Sequence, residues 1–329
     1  MNMTKVNVML TGASGMVGKK ILEELIFRGL FSIRIFLRNS KKNRKLIHSL
    51  SINDVEVVWG SLENLEEVKK AVENQEVIIH AAALQPSNTN YDEKKVHLVN
   101  VVGTENILNA MRQQKKARII YTSSISVYGD RLKDPYIKIS DPVVKSDHDP
   151  YAKSKLEAEK LIKDSGLEYL IFRLSYCTST EMLRFQSLMF DMPLDTRVEI
   201  IDTRDIAKAI ANSIPFKEIW NRTFNLGGGS KCQIIFRDHF NDIVEIMGFG
   251  RDFLPEVAFA KGGFHCGFYD TTELQALLKF QDHTLQDFYD DIRKWIGIKR
   301  YFVPLVKPIV RWYLLKKSKY YKEFKKNKK

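Results

Sequence analysis

Residues 6–18 have the sequence VNVMLTGASGMVG, and this stretch decides the fold of the 329-residue chain. Its first five residues are mostly apolar and predict a buried strand, and the glycines after them predict a turn. A helix is predicted to follow at once and to end at Gly29, because apolar residues recur at helical spacing: Val17, Ile21, Leu22, Leu25 and Ile26.

Each glycine of this turn has a separate predicted task. Gly12 lets the backbone leave the strand sharply, Gly15 lets it approach a pyrophosphate, and Gly18 lets the helix pack close to the sheet. A pyrophosphate would lie on the unpaired N–H groups at the positive end of the helix dipole. The alternative is a glycine turn without a ligand. We predict a dinucleotide site formed by the three glycines and their neighbours Thr11, Ser14, Met16 and Val17.

Further strand and helix patterns alternate along the first half of the chain. Strands are predicted at 33–37, 55–58, 77–80 and 118–122, and helices at 65–72 and 93–114. This alternation predicts an α/β fold with a doubly wound parallel sheet, a Rossmann fold, whose ligand lies at the carboxyl ends of the strands. Residues at those strand ends are therefore predicted to contact the cofactor: Ser61, Leu62, Ala81, Ala82, Ala83 and Thr122.

The end of the second predicted strand bears on the choice of cofactor. NAD sites usually have an acidic residue there for the ribose 2′-hydroxyl, whereas an arginine suits a 2′-phosphate. Here the strand ends at Arg38, and Lys41, Lys42 and Arg44 follow it. We therefore expect NADP as the cofactor, with NAD as the alternative if these residues form only a solvated basic loop.

A tyrosine and a lysine one helical turn apart follow the fifth strand. That strand leads into Ser124, and a later predicted helix begins near Tyr151 and contains Lys155. The spacing puts both side chains on one face, where an ammonium close by would favour the phenolate of Tyr151. A serine hydroxyl can hold a substrate oxygen while the phenol gives or takes its proton. The serine-rich strand end and the helix start distinguish this pair, since the same spacing recurs at Tyr91, Tyr313 and Tyr321.

Together these motifs resemble the extended short-chain dehydrogenases/reductases of the NAD-dependent epimerase/dehydratase superfamily. The resemblance implies that Ser124 orients the substrate oxygen, that Tyr151 is the acid/base and also contacts the cofactor, and that Lys155 holds the nicotinamide ribose and tunes Tyr151. Asn100 is counted with the catalytic residues, since it would match the asparagine that braces this site. A homodimer through the helices after the fourth strand and around Tyr151 is also implied. The resemblance covers roughly residues 5–230 and rests on 11–18, 80–83, 100–104, 122–124, 127–129, 151–155, 201–207 and 224–229.

Two departures from the family narrow the chemistry. Sugar-nucleotide 4,6-dehydratases have an Asp-Glu pair where this chain has Ile125 and Ser126. The segment between Ser175 and the next predicted strand at 198–201 is short, which argues against a full sugar-nucleotide cradle. We therefore predict an NAD(P)-dependent oxidoreductase that transfers a hydride between nicotinamide and a carbonyl or alcohol carbon of a small substrate. The alternatives are a sugar-nucleotide epimerase and a non-catalytic dinucleotide-binding sensor.

Three segments are predicted along the chain. Residues 1–230 form the NAD(P)-binding domain with a short substrate insertion at about 176–197, residues 231–298 form a small C-terminal substrate lobe, and residues 299–329 form a basic aromatic tail. Helices of the lobe are predicted near 238–247, 271–278 and 285–295. Three cysteines without a CxxC pair and a polar start favour a cytoplasmic protein. No metal is expected, because the ligand spacing is wrong at His239, His265 and Cys266.

Nearly all of the net charge lies in the tail. Residues 299–329 contain twelve Lys and Arg and one acid, Glu323, which gives +11 of the chain's +12. One interpretation is an interfacial helix on an anionic membrane, and the other is a helix packed on the domain with a solvated basic end. A nucleic-acid partner is not expected, since no recognition motif accompanies the charge. In the membrane interpretation, the side chains that face lipid are Ile309, Trp312, Tyr313, Tyr320 and Phe324.

Overall fold

The glycine-rich stretch forms the predicted strand, turn and helix at the centre of the structure. The computed structural model describes residues 5–50, 55–85, 92–114, 117–144, 149–183, 185 and 187–328. Residues 1–4 of the polar start, Tyr91 of the repeated Tyr-Lys spacing and Lys329 of the tail lie outside the described residues.

Twelve strands and twelve α-helices occur within these ranges. The strands are β1 (Val6–Thr11), β2 (Phe31–Leu37), β3 (Val55–Trp59), β4 (Val77–His80), β5 (Arg118–Ser124), β6 (Tyr136–Ile137), β7 (Tyr169–Leu174), β8 (Tyr176–Thr178), β9 (Arg197–Asp202), β10 (Arg222–Leu226), β11 (Gln233–Ile235) and β12 (Phe268–Tyr269). The helices are α1 (Met16–Arg28), α2 (Lys41–Leu50), α3 (Leu65–Val72), α4 (Glu93–His97), α5 (Gly103–Met111), α6 (Pro150–Lys163), α7 (Thr203–Ser213), α8 (Phe236–Ile246), α9 (Thr272–Leu278), α10 (Leu285–Ile296), α11 (Val303–Lys317) and α12 (Lys319–Lys326).

Seven of the strands form one parallel sheet in the order β10-β7-β5-β4-β1-β2-β3. The central strand β1 pairs with β2 on one side and β4 on the other, so that Leu10 lies between Ile35 and Ile79. Because the chain winds outwards from β1 in both directions, a crevice opens at the carboxyl ends of β1 and β4. This confirms the predicted doubly wound parallel sheet, which β7 and β10 extend beyond the five strands that alternate with helices in the sequence.

Helices cover both faces of the sheet through two separate apolar cores. Side chains alternate along each strand, so Val8 and Leu10 of β1 face one core and Met9 faces the other. Helices α1 and α7 close the first core, and α3, α5 and α6 close the second. The strands are thus apolar on both faces, as the parallel sheet requires.

A third apolar core lies outside the main sheet. Strand β9 pairs with β8 and β11, and β12 pairs with β6. Residues from the segment before β9, from α8, α10 and α11 fill this core, among them Phe190, Phe240, Ile292 and Leu314. The helices predicted for the C-terminal lobe are α8, α9 and α10. None of the described helices is long and apolar enough to cross a membrane.

The structure corrects two details of the predicted helices. Ile26 was expected on the apolar side of α1 but is exposed, because Gly18, Ile21, Leu22 and Leu25 already fill the buried face. The helix predicted at 93–114 ends at Met111 and is interrupted by a π-helical turn at Leu98–Val102, which joins α4 to α5.

Candidate active and cofactor site

The glycine turn after β1 is shaped for close approach to a ligand. Gly12 has φ = +77°, and a Cβ there would lie 2.7 Å from the backbone nitrogen of Ala82. A Cβ on Gly18 would collide with the carbonyl oxygen of Gly12, so Gly18 lets α1 approach the turn rather than the sheet. Gly15 is the N-cap of α1, and no side chain among the described residues caps that end of the helix.

These features fit a dinucleotide phosphate. The N–H groups of the first turn of α1, from Met16 to Gly18, have no intrahelical partners and lie at the positive end of the helix dipole. Ser14 and Gly15 lie on the open side of the turn, whereas Thr11 is buried beneath it. Ala81, Ala82 and Ala83 follow β4 and face this turn with small side chains.

A buried histidine holds the turn to the neighbouring helix. His80 at the end of β4 lies 2.8 Å from the hydroxyl of Thr11 through Nδ1 and 3.1 Å from that of Thr104 through Nε2. The Thr104 hydroxyl donates to the carbonyl of Asn100, so His80 must donate to Thr104 through Nε2 and accept from Thr11 through Nδ1. Burial lowers the pKa of His80 to about 3, which keeps the ring neutral as this network requires.

Tyr151, Lys155 and Ser124 meet at the carboxyl edge of the sheet. Asp149 caps α6 by accepting a hydrogen bond from the backbone of Ala152, which places Tyr151 in the first turn of that helix. The hydroxyl of Tyr151 interacts with the side chains of Ser124 and Gln85. Lys155 is buried and its Nζ donates a 2.7 Å hydrogen bond to the carbonyl of Thr122 in β5.

Burial, rather than the neighbouring lysine, dominates the protonation of this pair. It raises the pKa of Tyr151 above its ordinary value, and hydrogen bonds from Gln85 and Ser124 only partly oppose the increase. Burial also lowers the pKa of Lys155 to about 7, against the opposing charge of Glu159. The expectation that Lys155 favours the phenolate stays a prediction: its Nζ lies 5.7 Å from the centre of the Tyr151 ring, and its ammonium is itself desolvated.

Ser126 prepares Ser124 for a hydrogen-bonding role. Both the backbone N–H and the hydroxyl of Ser126 donate to the Oγ of Ser124, at 3.2 and 3.0 Å. These bonds use the lone pairs of Ser124 and leave its hydroxyl hydrogen available as a donor. Ser126 stands at one of the positions where the 4,6-dehydratases have an acidic residue, and here it serves to orient Ser124.

Asn100 is a buried clamp and does not touch the reacting groups. Its side chain accepts from the N–H of Leu84 at 2.7 Å and donates to the carbonyl of Leu84 at 3.1 Å and to the hydroxyl of Ser154 at 3.0 Å. The amide thus ties the segment after β4 to α6, beside Gln85 and Tyr151. Asn100 was predicted as a catalytic residue, but its contacts in the structure make it a positioning residue.

Two residues beside Tyr151 were missed by the sequence analysis. Gln85 follows the alanines after β4, and Cys177 in β8 lies close enough to influence the pKa of both Tyr151 and Lys155. Burial raises the pKa of Cys177 to about 12, so it is a neutral thiol. The rule that ligands bind at strand ends could have indicated Cys177, since it comes three residues after β7 ends at the same edge.

A buried ion pair supports the helix that carries Tyr151. Arg173 in β7 donates to both carboxylate oxygens of Glu159 in α6, at 3.0 and 2.7 Å, and Ser123 donates to the same carboxylate. Arg173 also donates to the hydroxyl of Tyr128, which donates to Asn225 in β10. These bonds connect α6 to three adjacent strands and so hold the helix that carries Tyr151.

The remaining predicted cofactor residues lie at the ends of β2 and β3. Arg38 is exposed and forms no ion pair with any described residue, while its carbonyl accepts from the side chain of Asn43. The N–H of Ser61 is occupied by Glu67, and Leu62 packs against Gly103. Of Arg38, Ser61 and Leu62, it is therefore Arg38 that has a charged side chain available to bind a ligand.

The histidines outside the site have other partners. His239 is buried against Phe288 and contacts the hydroxyl of Tyr289, and Cys266 is buried in the third core. His265 stacks on Phe264. In the described part of the chain, no three His, Cys, Asp or Glu side chains are grouped to hold a metal ion.

Comparison with curated proteins identifies relatives that are named as a ketoreductase and as an epimerase. A 4-hydroxy-2-methyl-3-oxo-4-farnesyl-3,4-dihydroquinoline-1-oxide ketoreductase from Stigmatella aurantiaca is 30% identical over 153 residues, which are 46% of this chain and 44% of that protein. A UDP-glucose 4-epimerase from Yersinia pestis is 32% identical over 165 residues, 49% of this chain and 48% of that protein. The chain thus spans about half the length of these relatives.

A solved structure and a family model extend the comparison to the whole fold. A short-chain dehydrogenase/reductase superfamily protein from Agrobacterium tumefaciens with bound NAD has a TM-score of 0.70 at 19% identity, over 92% of this chain and 99% of that chain. The model described as NAD(P)H-binding matches residues 12–215. From this match, and from the glycine turn and the Ser124, Tyr151 and Lys155 arrangement, it follows that the chain belongs to the NAD(P)H-binding family and is an extended short-chain dehydrogenase/reductase.

Proposed function

We propose that the protein is an NADP-dependent reductase that converts a carbonyl group of a small substrate to an alcohol, and catalyses the reverse reaction. The observation that carries this proposal is the meeting of three groups at the sheet edge: Tyr151 interacts with Ser124, and Lys155 is bound to β5 one turn further along α6. A sensor that only bound the dinucleotide would have no use for a buried phenol paired with a serine donor.

The residues act on the substrate oxygen. NADPH, when bound, would supply a hydride to the carbonyl carbon. Ser124 donates a hydrogen bond to the carbonyl oxygen through the hydrogen that Ser126 leaves available. Tyr151 donates its proton to that oxygen as negative charge develops on it, which completes the alcohol. Lys155 uses one donor on Thr122 and has further donors with which to hold the nicotinamide ribose.

The protonation state of Tyr151 agrees with a reductive direction. A proton donor must be protonated at the start of the reaction, and tyrosine is protonated at neutral pH because its ordinary pKa is about 10; burial raises the pKa of Tyr151 further. In the reverse reaction Tyr151 would accept the proton of the alcohol. The carbonyl chemistry in the name of the Stigmatella relative agrees with this direction.

Arg38 supports the choice of NADP. It is the first residue after β2, where the acidic residue of an NAD site would stand, and no described residue neutralises it. Lys41 and Lys42 are exposed at the start of α2 beside it. A 2′-phosphate would be matched by this group of cations, whereas a ribose hydroxyl would leave them unpaired.

Identification of any nucleotide in the purified protein tests the proposal. We would denature one sample to determine the mass of any released nucleotide, and titrate a second, native sample with NADPH and NADH by fluorescence. The proposal predicts little retained nucleotide, tighter binding of NADPH, and NADPH oxidation with members of a ketone and aldehyde panel. Failure to bind either dinucleotide would overturn the enzyme proposal as a whole.

The second candidate function is epimerisation of a sugar nucleotide, favoured by the 32% identity with the Yersinia epimerase. An epimerase returns the hydride to the same substrate and so gains from never releasing its cofactor. Stoichiometric NAD in the purified protein, with conversion of UDP-glucose and no net change in NADH absorbance, would establish this candidate and exclude the reductase.

A further inference from the structure

Helix α11 is apolar on two opposite faces. Its inner face, with Val303, Val310 and Leu314, packs on the third core. Its outer face is exposed over its whole length, with Leu305 77% and Ile309 68% accessible. We name this face, together with Phe302 just before the helix, the outer stripe; its residues follow helical spacing and are Phe302, Leu305, Val306, Ile309, Trp312 and Tyr313.

The outer stripe is fixed in position and cannot turn inwards. Arg311 donates to the carbonyl of Phe253 at 2.8 Å, and the fully buried Ser318 donates to the carbonyl of Ala258 at 2.6 Å. In α12, Tyr320 donates to Asp191 at 2.9 Å, and Lys319 pairs with the same carboxylate. These bonds lock both tail helices onto the third core, so the stripe is presented as a rigid surface.

A basic cleft of about 660 Å³ lies beside the stripe, between α11 and α12. Its cations are Lys307, Arg311, Lys316, Lys322 and Lys325. Lys316 lies 3.7 Å from the ring centre of Trp312, so aromatic and cationic groups adjoin at the border of stripe and cleft. Among the described residues, Lys319 is the one tail cation that forms an ion pair. The cleft therefore offers uncompensated positive charge to an anion.

The exposed apolar stripe and the unpaired cations together indicate which kind of partner binds this surface. A second copy of the chain would bring another +11 tail against this one, and like charges at such a contact repel. A nucleic acid would pair with the lysines but would leave Leu305 and Ile309 in water. An anionic bilayer accommodates both, since aliphatic side chains enter the acyl boundary, tryptophan and tyrosine lie at headgroup level, and lysines meet phosphates.

We propose that α11 and α12 form a docking surface for anionic phospholipid membranes, in which the outer stripe enters the interface and the basic cleft holds lipid phosphates. The two interpretations of the tail then apply together: the inner face of α11 packs on the protein while the outer face binds lipid. Of the residues expected to face lipid, Ile309, Trp312 and Tyr313 lie on the exposed face. Tyr320 packs on the third core, and Phe324 is partly buried.

Vesicle flotation of the full-length chain tests this docking surface. Phosphatidylcholine vesicles with and without phosphatidylglycerol are compared in the absence of substrate. The protein is expected to float with the anionic vesicles and to stay behind with the neutral ones. Deletion of the tail is not a suitable variant, because it would remove Leu314 and Leu315 from the third core.

Two sets of exposed substitutions separate the stripe from the cleft. Replacing Leu305 and Ile309 by Ser should weaken binding about tenfold or more, because their apolar area stays in water. Replacing Lys316, Lys322 and Lys325 by Gln should weaken it roughly 100-fold, at about 1 kcal/mol for each surface lysine. The matched controls are Phe27→Ser with Leu30→Ser, and Gln at the exposed positions Lys217, Lys231 and Lys261.

Each other outcome overturns the proposal. Equal flotation with neutral and anionic vesicles would show that binding does not depend on anionic lipid, and no flotation would show that the surface does not dock on these membranes. If the lysine substitutions abolish binding while the substitutions at Leu305 and Ile309 have no effect, the protein adsorbs to the vesicles by charge alone. Dimerisation that the Leu305 and Ile309 substitutions abolish, without vesicle binding, would assign the stripe to a second copy. NADPH titration of every variant is expected to be unchanged, which separates this proposal from the proposed reductase.

Discussion

At the scale of single residues, the chemistry of the site depends on one buried phenol. Tyr151 is placed by the first turn of α6, burial raises its pKa, and Ser124 and Gln85 are its hydrogen-bonding neighbours. Lys155 is held away from solvent on the carbonyl of Thr122. In the proposed mechanism the Tyr151 hydroxyl is the proton donor, so its loss should affect turnover more than cofactor affinity.

Replacing Tyr151 by Phe separates these two roles. We expect the turnover of a carbonyl substrate to fall about 100- to 10,000-fold, because the proton donor is lost, while NADPH binds with nearly unchanged affinity. Stopped-flow and fluorescence titration measure the two quantities. Tyr313→Phe is the matched control, since Tyr313 has a lysine at the same spacing but lies on the exposed face of α11. Full activity of Tyr151→Phe would remove the phenol from the mechanism.

Arg38 is predicted to set the cofactor preference. The Arg38→Asp variant should bind NADPH about 10- to 100-fold more weakly and NADH equally or better, because the 2′-phosphate loses its cation and the 2′-hydroxyl gains an acceptor. Fluorescence titration with both dinucleotides measures the change. Arg112→Asp, an exposed arginine at the end of α5, is the control. An unchanged NADPH affinity in Arg38→Asp would mean that the basic residues after β2 are only solvated.

The way in which each site residue is positioned decides whether the sequence could predict it. Gly12, Ser124, Tyr151 and Lys155 stand at fixed distances from strand ends or helix starts, so local pattern was enough to find them. Gln85 and Cys177 reach the same phenol from separate connecting segments. Whether these two side chains reach Tyr151 depends on the path of those segments in space, and apolar periodicity does not reveal that path.

At the scale of elements, the π-helical turn between α4 and α5 matters most for the site. It lies in an apolar pattern that spans α4 and α5, so the sequence predicted one uninterrupted helix there. A π turn adds a residue without breaking the apolar face, and periodicity alone therefore does not reveal it. The extra residue lets Asn100 point to Leu84 and Ser154 while Val96 and Ile107 stay buried.

The Asn100 clamp gives a prediction at this scale. Asn100→Ala should lower kcat/KM about 10- to 100-fold, mainly through kcat, because the Leu84–Gln85 segment is no longer held beside Tyr151. Asn212→Ala is the matched control: this half-buried asparagine on α7 donates to the carbonyl of Leu278, away from the predicted site. Urea unfolding shows whether both variants lose similar stability. Equal loss of kcat/KM in the two variants would mean that Asn100 acts only by stabilising the fold.

At the scale of the whole molecule, two buried neutral histidines link stability to pH. Burial lowers the pKa of His80 to about 3 and that of His239 to about 4. An unfolded chain binds protons on histidine at about pH 6.5, so below that pH it binds more protons than the folded protein. The contribution of these histidines is thus fully present above pH 6.5 and is lost as the pH falls towards 4.

A His239→Asn variant measures this contribution. Between pH 7 and pH 5 the variant should lose roughly 2 kcal/mol less unfolding free energy than the natural protein, since asparagine takes up no proton. Urea titrations at both pH values give the difference. His48→Asn, on the exposed surface of α2, should lose as much as the natural protein. An equal loss in His239→Asn would show that His239 is already protonated when folded.

The whole fold could be predicted better than the way its parts enclose the site. Alternation of apolar strands with helices was sufficient for the parallel sheet, because each strand must be covered on both faces. The third core could not be predicted, since it gathers short elements from 176–202 and from 231–321 whose pairing depends on contacts distant in the chain. The tail showed its charge in the sequence, but which side of α11 packs inwards was decided by those same distant contacts.

The short pairing of β6 with β12 has a consequence for the order of assembly. Tyr136 and Ile137 lie between the strand that ends at Ser124 and the helix that begins at Pro150, and they pair with Phe268 and Tyr269, which follow more than a hundred residues later. During synthesis the first strands and helices of the nucleotide-binding sheet emerge from the ribosome before that partner strand exists. The polypeptide can therefore form its cofactor turn early, while Tyr136 and Ile137 gain this strand partner only after residue 269 has been made.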